Sequence, residues 1–267
     1  MPFPRHNFYK AFIIYFIEQL DMCYRYSVPG PDPLVKRFSA SFPEKTSFKR
    51  QYHVSSFDLP KLPVITNENP KQIQLFTWGL IPFWVKDMKT AEEMRLKTMN
   101  ARAESIYEKP SFRHAAEQKH CLILADGFFE WQEYQGKNYP YYIRLKDHEP
   151  FAMAGLWDTW ENKATSEELR TYTVITTKAN ILMEKIHNKK KRMPVILRRD
   201  DEEEWLRASL RKETAQSLLS PYDEQEMEAF TISRLITSKQ RNPNVPEVLL
   251  PFMYPELQTK AGQKNLF

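Results

Sequence analysis

The chain has 267 residues, 42% hydrophobic and 13% aromatic, enough for one large domain or two small ones with a proper core, and one is expected. Its two cysteines are too few for a secreted-type disulfide framework, and the spacing from Cys23 to Cys121 matches no zinc motif, so a reducing compartment and no metal are expected. The formal net charge of +5 is modest for a nucleic-acid binder, yet it has the right sign for a polyanionic partner.

Residues 8–20 (FYKAFIIYFIEQL) are apolar, but they contain Lys10 and Glu18 and are too short to span a membrane. No weighty basic segment precedes them and no small-residue cleavage site follows. Residues 1–22 therefore read as an extension, either a misassigned start or a segment that is removed, ahead of the pair Met22-Cys23. Asp32 and Pro33 predict a helix N-cap and first turn, with the helix running to about residue 39. Strands are predicted over 62–66 and 72–78, then a helix over 91–99. A long strand is expected over 121–131, joined to 139–145 by a turn at Gln135-Gly136-Lys137. Further strands fall at 151–157, 171–177, 193–197 and 231–236, and helices at 179–187 and 200–210, the last with an acidic first turn. Residues 23–257 would form the domain and 258–267 a loose tail. Nineteen prolines against six glycines agree with a mixed fold of many strands and irregular connections.

If translation begins at Met22, removal of that methionine leaves Cys23 as the N-terminal residue. Its α-amine, with a pKa of about 7.7 to 8, then lies beside a thiol of about 8.5, so both are partly nucleophilic near neutrality. Such a 1,2-aminothiol condenses with an aldehyde to a Schiff base and closes to a thiazolidine; an upstream peptide converts the amine to an amide and removes this route. Glu130, between aromatic neighbours in 127–131 (GFFEW), is either a desolvated general acid with a raised pKa or an edge-strand carboxylate facing water. His187 either shuttles a proton or complements a helix C-terminus. Asn100 either orients a sugar hydroxyl or amine, or caps a turn. Cys121, in an apolar strand, reads as core, and His114, His120 and Cys121 do not make a zinc site.

Taken in order, Cys23-Tyr24-Arg25, 78–84 (WGLIPFW), 100–104 (NARAE), 127–131, 176–180 (TTKAN) and His187 with 192–197 (RMPVIL) resemble the SRAP domain family, the SOS-response-associated peptidases that shield abasic sites in single-stranded DNA. The resemblance runs from Cys23 to about Leu250. It implies a single α+β domain, a curved β-sheet or partial barrel flanked by helices. It also implies covalent capture of abasic sites by Cys23 as a crosslinking, lyase- or peptidase-like enzyme, without cofactor or metal. In that reading Asn100 helps hold the amine or opened sugar, Glu130 serves as acid and base, and His187 orients or protonates the sugar oxygen. Arg25 and Arg102 would hold flanking phosphates, and Trp84 and Trp131 would cover a neighbouring base. A monomer acting on DNA in the cytoplasm, associated with the nucleoid and not with a membrane, is expected.

The chain departs from the family pattern in three places. Tyr24 replaces the usual glycine, 52–57 (YHVSSF) replaces an Asn-x-x-Pro run, and Lys189-Lys190-Lys191 lengthens the segment after His187, as a phosphate contact or a solvated loop. Autoproteolysis by Cys23 is a related activity that would accompany covalent capture, although methionine removal would expose the same amine. The alternative function is a noncovalent single-stranded DNA binding module. A general thiol peptidase is disfavoured because Cys23 lacks a sequence-local helix N-terminus to activate it.

Overall fold

The structure, a computed structural model, describes residues 24–258. Cys23, the extension before it and the tail from residue 259 lie outside the described residues. The chain begins with β1 (Arg25–Val28), α1 (Pro31–Phe38), β2 (Gln51–Ser55), β3 (Lys61–Thr66), β4 (Ile73–Trp78), α2 (Met88–Lys97) and β5 (Asn100–Arg102). It continues through α3 (Arg113–Gln118), β6 (His120–Ala125), β7 (Gly127–Tyr134), β8 (Lys137–Leu145), β9 (Phe151–Asn162) and β10 (Glu167–Lys178). The last elements are α4 (Ile181–Ile186), β11 (Arg192–Pro194), α5 (Arg199–Trp205), α6 (Lys212–Leu218), β12 (Met227–Thr231) and α7 (Pro255–Gln258).

Two sheets result. In the first, the neighbour order β10-β4-β3-β6-β9 returns to β10, because β9 and β10 pair antiparallel from Glu167↔Asn162 to Val174↔Gly155. Pairing of β4 with β10 is parallel and completes a closed five-stranded barrel, with β5 and β11 attached further along β10. Closure removes the barrel's free edges. Gly155 allows β6 and β9 to approach: a Cβ there would meet Ile123 Cδ1 at 2.5 Å and Cys121 Sγ at 2.9 Å. The second sheet runs β12-β8-β7-β1-β2, antiparallel throughout. Its inner face meets the barrel through Tyr26, whose ring lies 4.8 Å from Trp78 and whose hydroxyl is 2.6 Å from that of Tyr172. The α+β class therefore holds, and the expected partial barrel is a complete one.

Several sequence-based boundaries change. The expected strand 121–131 is two strands in different sheets, broken at Asp126. The Asp126 carboxylate accepts from Ser27 Oγ at 2.6 Å and pairs with Arg50 at 2.7 Å, which fixes the crossover between β6 and β7. The strand expected over 231–236 ends at Thr231, and 234–237 form a 3-10 turn. Gly30, not Asp32, precedes the first helix, with Pro31 in its first turn and Asp32 paired with Lys45. The helix expected over 200–210 stops at Trp205. The Gln135-Gly136 turn forms with φ of 51° and 74°, as a two-residue type I′ hairpin requires.

Candidate active site

Side chains alternate along β7, so Phe128 and Glu130 lie on one face of the sheet and Phe129 and Trp131 on the other. Phe128 is buried in the main core, and Phe129 in a second cluster with Tyr142 and Phe230. Continuing the β1–β7 register from Tyr26↔Phe128 places Tyr24 level with Glu130. Tyr24 replaces the family's glycine without strain because its ring packs 5.2 Å from Phe57 and is buried.

Asn180 caps α4 by accepting from the Met183 N–H at 2.8 Å, and the helix ends at His187, whose N–H donates to the Met183 carbonyl. The next residues are stitched to β7. Asn188 accepts from the Glu133 N–H at 3.1 Å and donates to the Glu133 carbonyl at 2.8 Å, while Gln132 donates to the Lys185 carbonyl at 2.9 Å. These contacts bring His187 Nε2 to 3.8 Å from Glu130 Oε2, with both side chains 4% exposed. His187 Nδ1 donates to the Arg192 carbonyl at 2.8 Å. Arg192 is itself clamped: its guanidinium makes a two-pronged pair with Glu104 at 2.6 and 3.0 Å and donates to the Thr176 carbonyl at 2.6 Å. Burial works against the Glu104 carboxylate, but the Arg192 bonds outweigh it and hold the group below the usual range.

A groove of about 400 Å³ joins these groups. Its lining includes Arg25, Trp131, Pro140 and Arg234, here called the trough, and Tyr24, Glu130 and His187, here called the recess. The Arg25 guanidinium lies 5.0 Å from the Trp131 ring and 5.8 Å from the Phe57 ring. Beneath this trough His53 is edge-on to Phe129, and burial together with the Arg25 charge lowers its pKa to about 3, leaving it neutral. A carboxyl and an imidazole this close, in a recess open on one side, can exchange a proton with each other and with a bound group.

Of the residues singled out from sequence, Glu130, His187, Arg25 and Trp131 share this groove. Asn100 is buried at the start of β5, beside Val174, and Arg102 is exposed on the same strand. Neither lines the groove; they reach the same end of the barrel as Arg192, because Thr176 pairs with Arg102 on one side and Pro194 on the other. Trp84 is exposed in a separate trough of about 740 Å³ with Phe83, Arg113 and His114. Lys189, in the lysine run, pairs with Glu133 at 3.2 Å. The positioning roles of Asn188 and Glu104 and the place of Arg234 in the wall are not legible in the sequence: Glu104 ends the NARAE stretch without signalling a partner, and Arg234 falls in a run that reads as a strand. Among the described residues no His, Cys, Asp and Glu cluster could hold a metal ion, and no helix is long and apolar enough to cross a membrane.

The family model for SOS response associated peptidase (SRAP) matches residues 22–239. The chain belongs to this family. Among SRAP relatives, the abasic site processing protein YoqW of Bacillus subtilis is 39% identical over 236 residues, covering 85% of this chain and 99% of that protein. The abasic site processing protein HMCES of Gallus gallus is 33% identical over 213 residues, covering 71% of this chain and 61% of that protein. A crystal structure of a protein from Bacteroides thetaiotaomicron has the same SRAP architecture, with a TM-score of 0.81, 38% identity, and coverage of 86% of this chain and all of that one.

Proposed function

We propose that this protein captures abasic sites in single-stranded DNA as a thiazolidine on Cys23, once residues 1–22 are absent and the Cys23 amine is free. The observation that carries the reading is the Glu130–His187 pair, 3.8 Å apart in a recess whose wall is Tyr24, one peptide bond from Cys23. The names of the relatives, abasic site processing proteins, support DNA carrying such a lesion as the substrate.

An abasic deoxyribose is mostly a closed hemiacetal. Proton transfer by Glu130 and His187 opens it, with a proton delivered to the ring oxygen as the C1′ hydroxyl loses one and becomes the aldehyde. The Cys23 amine adds to that aldehyde and water leaves, giving an imine. The thiol then adds across the C=N bond, its sulfur to C1′ and its proton to nitrogen. One water is lost overall, and no oxidant or cofactor is required. Arg25 would hold a flanking phosphate, and Trp131 would offer an aromatic face beside it. Asn100 keeps its assignment as holder of the amine or the opened sugar, and Arg102 and Trp84 keep theirs as phosphate contact and base platform. The Cys23 thiol could also expose the amine by attacking the Met22 carbonyl, so that the acyl group moves from nitrogen to sulfur while Glu130 or His187 passes the thiol proton to the departing amine; water then hydrolyses the thioester and restores the thiol.

Denaturing intact-mass analysis tests the reading, on chains starting at Met1 and at Met22, before and after incubation with an abasic single-stranded oligonucleotide. The expected product starts at Cys23 and gains the oligonucleotide mass less one water. A chain that starts at Cys23 and binds the oligonucleotide without a denaturant-resistant adduct would sink covalent capture and leave a noncovalent binding module.

A further inference from the structure

We propose that Arg234 and Lys239 bind the phosphates of the DNA strand on the side of the lesion away from Arg25. The inference rests on the abasic-site reading above and adds to it a second phosphate subsite.

Strand order carries the geometry. In the sheet β12-β8-β7-β1-β2, Glu130 and Trp131 sit on β7, Arg25 on the neighbouring β1, and Arg234 and Lys239 after β12, beyond β8. Strands lie about 4.8 Å apart, so Arg25 stands about 5 Å to one side of β7 and the turn after β12 about 10 Å to the other. The groove is lined across this whole width, with Pro140 of β8 between. A strand laid along it with its abasic sugar in the Glu130 recess passes Arg25 on one side and Arg234 with Lys239 on the other.

The charges on that second side are available. Lys189 is neutralised by Glu133, but Arg234 and Lys239 make no ion pair among the described residues, and both are exposed. Arg234 is also oriented: its guanidinium carbon lies 5.9 Å from the Tyr139 ring and 5.9 Å from the Tyr254 ring. The two rings adjoin each other, with centroids 5.0 Å apart, so they flank the fork on one side, where it also bonds the Tyr254 side chain; its remaining donors are held facing away from the rings, as phosphate recognition needs.

The test compares the chain starting at Met22 with its Arg234→Ala/Lys239→Gln and Lys239→Gln variants. Equilibrium binding to an undamaged single-stranded oligonucleotide is measured as salt is raised. Each phosphate contact contributes about 0.7 to the slope of log affinity against log salt, so the double variant should lose about 1.4 and the single variant about 0.7. Between about 50 and 200 mM salt the parent then loses affinity about sevenfold more than the double variant. In crosslinking, oligonucleotides with the abasic sugar at the 5′ or the 3′ end should separate the two sides. The double variant should match the parent on one of them and fall behind on the other. Unchanged salt slopes in both variants would overturn the subsite. Slopes that fall as expected while the parent forms no Cys23-dependent adduct would uphold the subsite and discard the covalent chemistry.

Discussion

The two nitrogens of His187 are committed differently: Nδ1 donates to the Arg192 carbonyl at 2.8 Å, and Nε2 faces Glu130 Oε2 at 3.8 Å. A carbonyl cannot donate, so Nδ1 keeps its hydrogen and Nε2 is the nitrogen that exchanges a proton with the recess. For the proposed capture, Glu130→Gln removes the exchangeable proton while keeping the shape of the side chain. The single-turnover rate of adduct formation should fall about 10² to 10⁴-fold, with His187→Gln in the same range and noncovalent DNA affinity little changed. A Glu130→Gln chain that crosslinks at the parent rate would remove Glu130 from proton transfer.

Asn188 is predicted to act through His187. Its two bonds to Glu133 hold the end of α4 against β7, and each contributes about 0.5 to 1.5 kcal/mol. Asn188→Ala should lower stability by about 1 to 2 kcal/mol in urea unfolding. Adduct formation should slow while the salt dependence of DNA binding stays the same, because no phosphate contact is touched. An unaltered rate in a measurably destabilised variant would mean that His187 is positioned without the loop.

His53 makes stability depend on pH at the acid side. Its folded pKa is about 3, lowered by burial and then by the Arg25 charge, against about 6.5 in the unfolded chain. Between those values the unfolded state binds the extra proton, so stability is complete above about pH 6.5 and is lost as pH falls toward 3, at up to about 1.4 kcal/mol per unit. His120, buried beside Trp205 and shifted the same way, adds to the loss. Replacing His53 with Phe, whose ring can keep the edge contact with Phe129, should flatten part of the acid limb in urea midpoints measured from pH 4 to 7. An acid limb as steep as the parent's would assign the effect elsewhere.

Gly127 is predicted to tolerate no side chain. A Cβ there would lie 2.2 Å from the Tyr142 ring, and that tyrosine is fixed by a 2.9 Å bond between its hydroxyl and Ser27 Oγ. Gly127→Ala must displace the ring or the start of β7, at a cost of about 1 to 3 kcal/mol or more. Thermal unfolding should show a drop of several degrees, and Gly127→Ala/Tyr142→Phe, which frees the ring from its hydroxyl bond, should recover part of it. No drop at all would show that the ring moves freely.

The strands that form the barrel were largely legible, because 62–66, 72–78, 151–157 and 171–177 are apolar or β-branched runs long enough to announce themselves. The three-residue β5 and the four-residue β1 carry too few residues for a period, and only their neighbours define them. The run 121–131 is continuous in hydrophobicity, so nothing local signalled that Asp126 divides it between two sheets; its partners Ser27 and Arg50 are far away in the chain. Tyr24, read as a disturbance of the family pattern, finds its space only when Phe57 packs against it.

By itself the sequence determined the kind of chemistry available: an aminothiol at Cys23 if the extension is absent, a carboxylic acid at Glu130 and an imidazole at His187. Its ordered motifs also determined the family, which the match over residues 22–239 bears out. Side-chain type and local order are properties of the chain, so they can be read without coordinates. The tertiary structure alone decided that Glu130 and His187 meet while Trp84 lies in a separate trough, and that Arg234 stands beyond β8 from the recess. Those relations depend on strand order and on which face of β7 each side chain occupies. Both are set by pairing between segments as much as a hundred residues apart, such as Tyr26 with Phe128, and no local pattern encodes them.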